Sequence, residues 1–137
     1  MSKYEETATE LRDAGHLIAA LSELGYRAEF HPNGAALAGY EGRERPEKAH
    51  VIVRRSQLDS ASNDIGFLKK ADGTFAAVLS EYDRSIGFNE NWLSRVHQVY
   101  KDKQVLADAR AKGYILHSRE IVQTPDGPQI RLQFLVR

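Results

Sequence analysis

Apolar positions recur at two different spacings along this chain, and the spacing changes at glycine, proline and asparagine. In residues 3–24 the apolar side chains fall three or four positions apart, which predicts an amphipathic helix that ends at Gly25. A second stripe with this spacing runs from Asn89 or Asn91 to residue 112. Either asparagine can cap the first turn of a helix, so the pattern predicts a second amphipathic helix.

Seven other segments alternate with period two or are rich in β-branched residues, which predicts strands. These segments are residues 26–31, 35–40, 50–55, 64–70, 74–80, 114–121 and 129–137. Asp72-Gly73 lies between two of them and indicates a tight primed turn, so we predict a central hairpin there. Further turns are expected at residues 32–34 and 125–128, and an exposed loop at residues 41–48.

Together these elements predict an α+β protein, with a mostly antiparallel sheet and two amphipathic helices packed on one face. The order helix, glycine, strand, turn, strand occurs twice, which suggests two helix-plus-hairpin halves. The alternative is that this order is ordinary punctuation between elements. A chain of 137 residues fits one domain, so we predict a single domain over residues 1–137.

Composition narrows the function classes. Nineteen basic residues balance nineteen acidic ones, which argues against a protein that coats nucleic acid or an anionic membrane. The chain has no cysteine, so disulfides, thiolate metal sites and cysteine nucleophiles are excluded. No apolar run reaches the length of a membrane span, and no apolar segment follows the first charged residues. We therefore expect a cytoplasmic protein without a membrane partner.

Histidines on predicted strands and acids around the central hairpin are the candidates for a metal site. The histidines are His31, His50 and His117, and the acids are Asp59, Asp64, Glu81 and Asp83. Oxygen ligands of this kind suit a hard cation, although acids in loops more often cap their own backbone. The sequence lacks His-Glu-x-x-His, a P-loop and a Gly-x-Ser-x-Gly elbow. We assign no catalytic residue, metal ligand or cofactor, and keep a metal-dependent enzyme of unknown reaction as an alternative.

Basic side chains gather in one region and define a second alternative, a nucleic-acid-binding module. They are Arg43, Arg45, Lys48, Arg54 and Arg55. Such a group can contact phosphates, but Glu41, Glu44 and Glu47 lie among its members and offset its field. A solvated face of mixed charge is the simpler interpretation, so nucleic acid is the less favoured partner.

Short fragments spread over nearly the whole chain resemble a family of unknown function. It is the hypothetical chloroplast reading frame 35 family, or domain of unknown function family 1257. The most specific fragment is Asn63-Asp64-Ile65-Gly66-Phe67. The others are Tyr40-Glu41-Gly42, Val51-Ile52-Val53, Asp83, Val99-Tyr100, Ala111-Lys112-Gly113-Tyr114, Asp126-Gly127 and Ile130-Arg131-Leu132.

The resemblance implies an accessory role, because members of that family resemble accessory proteins more than enzymes. They often lie in the genome beside an AAA-type ATPase, which implies a protein partner of that type. We accordingly predict a non-catalytic module that binds another protein through an open sheet edge or through residues 82–88. The residues assigned to partner binding are Asp64, Ile65, Gly66, Phe67, Tyr82, Asp83, Ile86 and Phe88.

Overall fold

The fold is α+β, as predicted, and a computed structural model describes residues 2–136. Its strands are β1 (Tyr4–Ala8), β2 (Ala28–Ala38), β3 (Glu44–Val53), β4 (Ile65–Lys69), β5 (Phe75–Ser80), β6 (Ile115–Thr124) and β7 (Gly127–Leu135). Its helices are α1 (Ala14–Glu23), α2 (Glu81–Ser85) and α3 (Glu90–Ala111), with a 3-10 turn at Arg55–Gln57. Within the described residues, every helix is too short or too polar to cross a membrane.

The strands form two sheets rather than one. Five of them make an antiparallel sheet in the order β1-β5-β4-β3-β2, and β6 pairs only with β7 among the described residues. Helices α1 and α3 lie together on one face of the larger sheet. There Leu17 and Leu21 of α1 and Val96 of α3 pack against apolar side chains of β3, β4 and β5. This layer of helices on sheet is the main core.

The second face of the larger sheet is covered by the sheet's own hairpin. The register between β2 and β3 shifts between Phe30 and Ala35, so the far half of this hairpin bends. Leu37 and Ala49 from that half pack with Ile52 and Val78 in a smaller core. A Cβ built on Gly66 would lie 2.6 Å from the Ala49 Cβ, so only glycine fits beneath the bent hairpin.

The prediction of a helix over residues 3–24 is wrong in its first half. Residues 4–8 form β1, which pairs with β5 in the register Tyr4↔Ser80. The helix begins only after Asp13, whose carboxylate accepts a hydrogen bond from the His16 N–H at 2.8 Å. Apolar spacing does not predict this boundary, because β1 is stabilised by pairing with β5, which follows roughly seventy residues later in the chain.

The predicted turn at residues 32–34 is also wrong, as is the loop at 41–48. Strand β2 continues through Pro32 and Gly34, which lie in the irregular part of its register, where a strand tolerates proline. The chain reverses instead where the Gly39 N–H donates to the Arg43 carbonyl at 2.8 Å. Most of the expected loop is therefore the start of β3.

Other boundaries are confirmed. The central hairpin forms as predicted, but its turn is not a tight primed one. Only Gly73 has positive φ in the turn, and the Lys70 N–H donates to the Thr74 carbonyl, so three residues lie between the bonded pair. Asn89 caps α3. The order helix, glycine, hairpin does occur twice, but the two hairpins belong to different sheets. Val136, which follows the last residue of β7, is 70% exposed.

Candidate functional site

A cluster of buried polar residues lies at the point where β4 begins and β5 ends. Its members are Ser62, Asn63, Asp64, Ser80 and Asp83, none of them more than 2% exposed. The fragment that carries the family resemblance starts inside this cluster. Because buried polar groups require hydrogen-bond partners, the partners show whether these groups serve the fold or are available to a ligand.

Both carboxylate oxygens of Asp64 accept hydrogen bonds from other groups of the chain. Its Oδ2 accepts hydrogen bonds from the Ala38 N–H at 2.7 Å and from Arg54 Nη1 at 2.8 Å. Its Oδ1 accepts from the Arg55 N–H at 2.7 Å. The carboxylate thus joins the end of β2 and the residues after β3 to the start of β4, through charge-assisted bonds.

Asn63 and Asp83 connect the same region to the end of β5. The Asn63 N–H donates to Asp83 Oδ2 at 3.1 Å, and its side-chain amide donates to Ser80 Oγ at 2.9 Å. Ser80 in turn donates to Asp83 Oδ2 at 2.7 Å and caps α2. One oxygen of Asp83, Oδ1, is buried without a hydrogen-bond partner among the described residues.

Tyr4 belongs to this cluster and was missed by the sequence analysis, which placed it in a helix. Its hydroxyl donates to the Asp64 carbonyl at 2.7 Å and so connects β1 with β4. Burial, and then the charge of Asp64, raise the pKa of Tyr4 above its ordinary value. The phenol therefore remains protonated and acts as a structural donor.

The residues assigned to partner binding separate into two groups. Asp64, Asp83 and the whole of Ile65–Phe67 are buried in this structure, so their side chains do not face solvent. Ile86 is exposed, and Tyr82 is half-buried with its hydroxyl 2.9 Å from Asp59 Oδ1. Phe88 is also half-buried. It packs against Trp92, with ring centroids 5.2 Å apart.

The acids and histidines considered as metal ligands do not come together, and most of them bond to other groups of the chain. Among residues 2–136 no group of three or more such side chains is placed to hold a metal ion. His31 lies 2.8 Å from Glu29, and His50 Nδ1 accepts from the Lys69 N–H at 3.0 Å. His117 lies on β6, in the other sheet, and Glu81 is exposed at the start of α2.

The basic side chains mostly bond within the chain. Arg54 contacts Asp64 and Glu29, and Arg55 donates to the carbonyl of Ser62 at 2.9 Å. Arg45 donates to the Ser2 carbonyl at 3.1 Å and lies over the Tyr4 ring. Arg43 is 3.5 Å from Glu41, and Lys48 is exposed. These contacts hold Arg45, Arg54 and Arg55 in the fold and leave Arg43 and Lys48 at the surface.

An open groove of about 640 Å³ runs between β1 and α3. The end of β1 and the residues that follow it, up to Leu11, form one wall, and α3 forms the other. The lining residues are Thr7, Ala8, Thr9, Glu10, Leu11, Glu90, Leu93, Ser94, His97, Gln98 and Lys101. Buried Leu11 and Leu93 give the groove an apolar floor, and the highly exposed Glu10 stands at its rim. The sequence does not predict this groove, because residues 4–8, which form part of one wall, were expected to be helical.

His97 is the titratable ring in the groove. Burial, and then the nearby charge of Lys101, lower its pKa below the ordinary histidine value, so the ring is neutral at pH 7. Its Nε2 lies 3.9 Å from Glu10 Oε2, which is longer than a hydrogen bond. The two groups do not form a bonded acid–base pair. The neutral ring can instead donate or accept one hydrogen bond within the groove.

Residues 20–132 match the family described as Protein of unknown function (DUF1257). The match covers most of the chain and includes the Asn63–Phe67 fragment. No curated protein and no solved structure matches the chain.

Proposed function

The chain belongs to the DUF1257 family, whose function is unknown, and from this membership we propose that it is a non-catalytic accessory protein that binds another protein. The observation that supports the proposal is the groove beside β1. We propose that it receives an extended segment of the partner, which pairs with the outer edge of β1.

The backbone of β1 can accept such a segment. It is an edge strand, and the Glu81 N–H donates to the Lys3 carbonyl at 2.8 Å. Because antiparallel pairs alternate, this bond sets the direction of the strand's peptide groups: those of Glu5 and Thr7 face β5, and those of Tyr4, Glu6 and Ala8 face outward. An added strand would bond to these outward groups, which is the common mode of strand addition.

The side chains of the groove favour a segment that is apolar on one face. Alternate residues of an extended chain point to the same side, so one row would rest on the floor formed by Leu11 and Leu93. Along α3, His97 and Gln98 supply hydrogen-bonding groups at the wall. Affinity in this mode comes from the backbone, and selectivity comes from the side-chain row.

The segment at residues 82–88 adjoins the groove and extends the proposed surface. Arg84 of α2 bonds to Thr7 and lies 2.6 Å from Glu90, and both of these residues line the groove. Exposed Ile86 follows two residues after Arg84, with half-buried Tyr82 and Phe88 on either side of it in the chain. The two docking positions expected from the sequence, an open edge and this segment, thus lie next to each other.

The resemblance to the chloroplast reading frame 35 family supplies the identity we propose for the partner, an AAA-type ATPase. A cytoplasmic location is likewise a prediction from the sequence. An ATPase presents exposed loops during its cycle, and an accessory chain without its own reaction would act by holding one of them.

Site-specific crosslinking tests the proposal in the native host. A photoreactive phenylalanine analogue at Ala8, on the outer edge of β1, should capture one protein. The same analogue at Phe30, exposed on β2 at the opposite edge of the sheet, is the matched control and should not capture that protein. Equal capture at both positions, or none at Ala8, would contradict the proposed site.

The captured partner, once purified, allows a sharper measurement. Ala8→Pro removes an outward N–H without removing a bond to β5, whereas Ala8→Ser retains the N–H. We expect Ala8→Pro to weaken binding about tenfold, the effect of one lost hydrogen bond. Equal affinities would exclude strand addition. A captured protein that is not an ATPase would remove the ATPase assignment and leave the accessory role.

A further inference from the structure

The exposed apolar side chains are concentrated in the last third of the chain. Ten large hydrophobic residues among those described are exposed, and seven of them follow residue 104. The seven are Val105, Tyr114, Ile115, Leu116, Ile121, Leu135 and Val136. All but Val105 lie on the β6–β7 hairpin or next to its ends. Exposed apolar side chains gathered in one region of a protein often mark a surface that binds another protein.

Within residues 2–136 the hairpin is a sheet of two strands, so both of its outer edges are open. Thr124 pairs with Gly127 around a two-residue turn. The pair next to such a turn is hydrogen-bonded, so the peptide groups of Gly127 and of every second residue after it face β6. Those of Ile130, Leu132 and Phe134 therefore face away from β6. Pro128, which has no N–H, occupies an outward position of the same series. Edge strands are usually protected by charges, but residues 127–136 contain only Arg131.

Helix α3 covers the hairpin only in part. Arg119 bonds to Asp102 at 3.2 Å, Gln98 donates to the Pro128 carbonyl, and Ile130 packs against the main core. These contacts hold the middle and the turn. Between α3 and the outer edge of β7 a cavity of about 290 Å³ remains, lined by Val105, Ile130 and Leu132 among others. The cavity leaves space for an apolar side chain beside this edge.

We propose that a second copy of this chain pairs with the hairpin, β7 against β7 in antiparallel orientation, to form a four-stranded sheet across a two-fold axis. A register centred on Leu132 places Ile130 opposite Phe134 of the second copy, so the apolar rows meet. The Phe134 ring of each copy then enters the cavity beside Ile130 of the other. In the same register Arg131 faces Gln133 and avoids its own counterpart.

The sequence of β7 and the charge of the chain both favour a second copy as the occupant. About an axis through Leu132 the strand complements itself, because Ile130 meets Phe134 and Arg131 meets the neutral Gln133. The chain has a net charge of zero, so two copies do not repel each other. Both surfaces border α3, but the strand that pairs is β7 here and β1 in the proposed groove, so a variant on one strand tests its proposal without testing the other.

Sedimentation equilibrium of the full chain at several concentrations tests the proposal, and Gln133 offers a matched pair of variants. In Gln133→Glu the new carboxylate of each copy would lie opposite Arg131 of the other copy. The two opposite-charge contacts should tighten the dimer. Gln133→Arg would place like charges there and should loosen it. We expect dissociation constants that differ by about tenfold or more. Ser118 donates to Gln133 Oε1, a bond that glutamate can retain and arginine loses, so the unfolding free energy of each variant is measured beside its dissociation constant.

Phe30→Arg, on the outer edge of β2, is the control that should leave the dimer unchanged. A wild-type chain that stays monomeric at millimolar concentration would overturn the proposal, and the hairpin would then be a surface for a different protein. A dimer with equal dissociation constants for the two Gln133 variants would overturn it as well, because the copies would then meet at another face.

Discussion

The five-stranded sheet is covered on both faces, whereas the β6–β7 sheet is covered in part on one. Helices α1 and α3 pack on the first sheet from one side, and Leu37 and Ala49 of its own bent hairpin pack from the other. The smaller sheet leaves Ile121 58% exposed in its middle. A hairpin alone is marginally stable in water, so the first sheet is complete within the chain and the second depends on its neighbours.

The difference also separates two uses of polar side chains. In the large sheet they are buried and bonded at strand ends, as Asp64 and Asp83 are, and they fix the chain path. On the hairpin they hold an otherwise open element to the helices, as Arg119 does through Asp102. Substitutions in the first group should lower global stability, and substitutions in the second should mainly loosen the hairpin.

Asp64→Ala should have the largest effect. It removes three hydrogen bonds, leaves two backbone N–H groups without their acceptor and takes the buried carboxylate away from Arg54, which keeps its contact with Glu29. Breaking a buried charged pair of this kind costs about 3–5 kcal/mol. Urea denaturation measures the loss in unfolding free energy. The control is Asp59→Ala, in an exposed loop, which should lose far less; equal losses would show that Asp64 is not the junction we describe.

Gly66→Ala should come next, because the added methyl group would lie 2.6 Å from the Ala49 Cβ. Overpacking of this type costs about 1–3 kcal/mol. The double variant Gly66→Ala, Ala49→Gly should recover most of that loss, since it restores the space. Gly39→Ala is the control, because its nearest neighbours would be 3.5 Å away. Without recovery in the double variant, the bent hairpin would not be the reason for glycine here.

Acidic pH should have the smallest effect, and it should act on the contact between α1 and the hairpin. Burial raises the pKa of Glu23, but hydrogen bonds from Lys103 and Arg119 outweigh it and lower the pKa below its ordinary value. The stabilisation is therefore present above the ordinary glutamate pKa, roughly 4.3, and is lost as the pH falls below it.

Comparison with Glu23→Gln isolates this contribution. Because Glu23 is partly exposed, we expect the wild type to exceed the variant by only about 0.5 kcal/mol at pH 7. Denaturation at pH 7 and pH 3 should show that this difference disappears in acid. A difference that persists at pH 3 would mean that the carboxylate charge is not its source.

Local signals predicted much of the fold. Gly25 and Gly113 end their helices with the same bonds, in which Tyr26 and Tyr114 donate to Leu21 and Ala109. The sequence likewise predicted the hairpin at Asp72-Gly73 and the helix cap at Asn89, because each depends on residues close in sequence. Each of these features is determined by residues that lie within a few positions of it in the sequence.

Non-local contacts could not be predicted in this way. β1 is a strand only because β5 is its neighbour, and with β1 assigned to a helix both the groove and the role of Tyr4 were missed. Asn63 and Asp64 belong to the fragment that carries the family resemblance, but nothing in the sequence predicts that they are buried. Nor did apolar alternation in β7 indicate that the inward face would be covered only in part.

Hydrogen exchange of the full chain at low and at high concentration tests most directly whether the large sheet is complete and the hairpin is not. We predict that amides of β4 and β5 exchange slowly at both concentrations. The N–H groups of Ile130, Leu132 and Phe134 should exchange rapidly when the chain is dilute and become protected when it is concentrated. Protection of these three that equals β5 at low concentration, or that ignores concentration, would contradict the account.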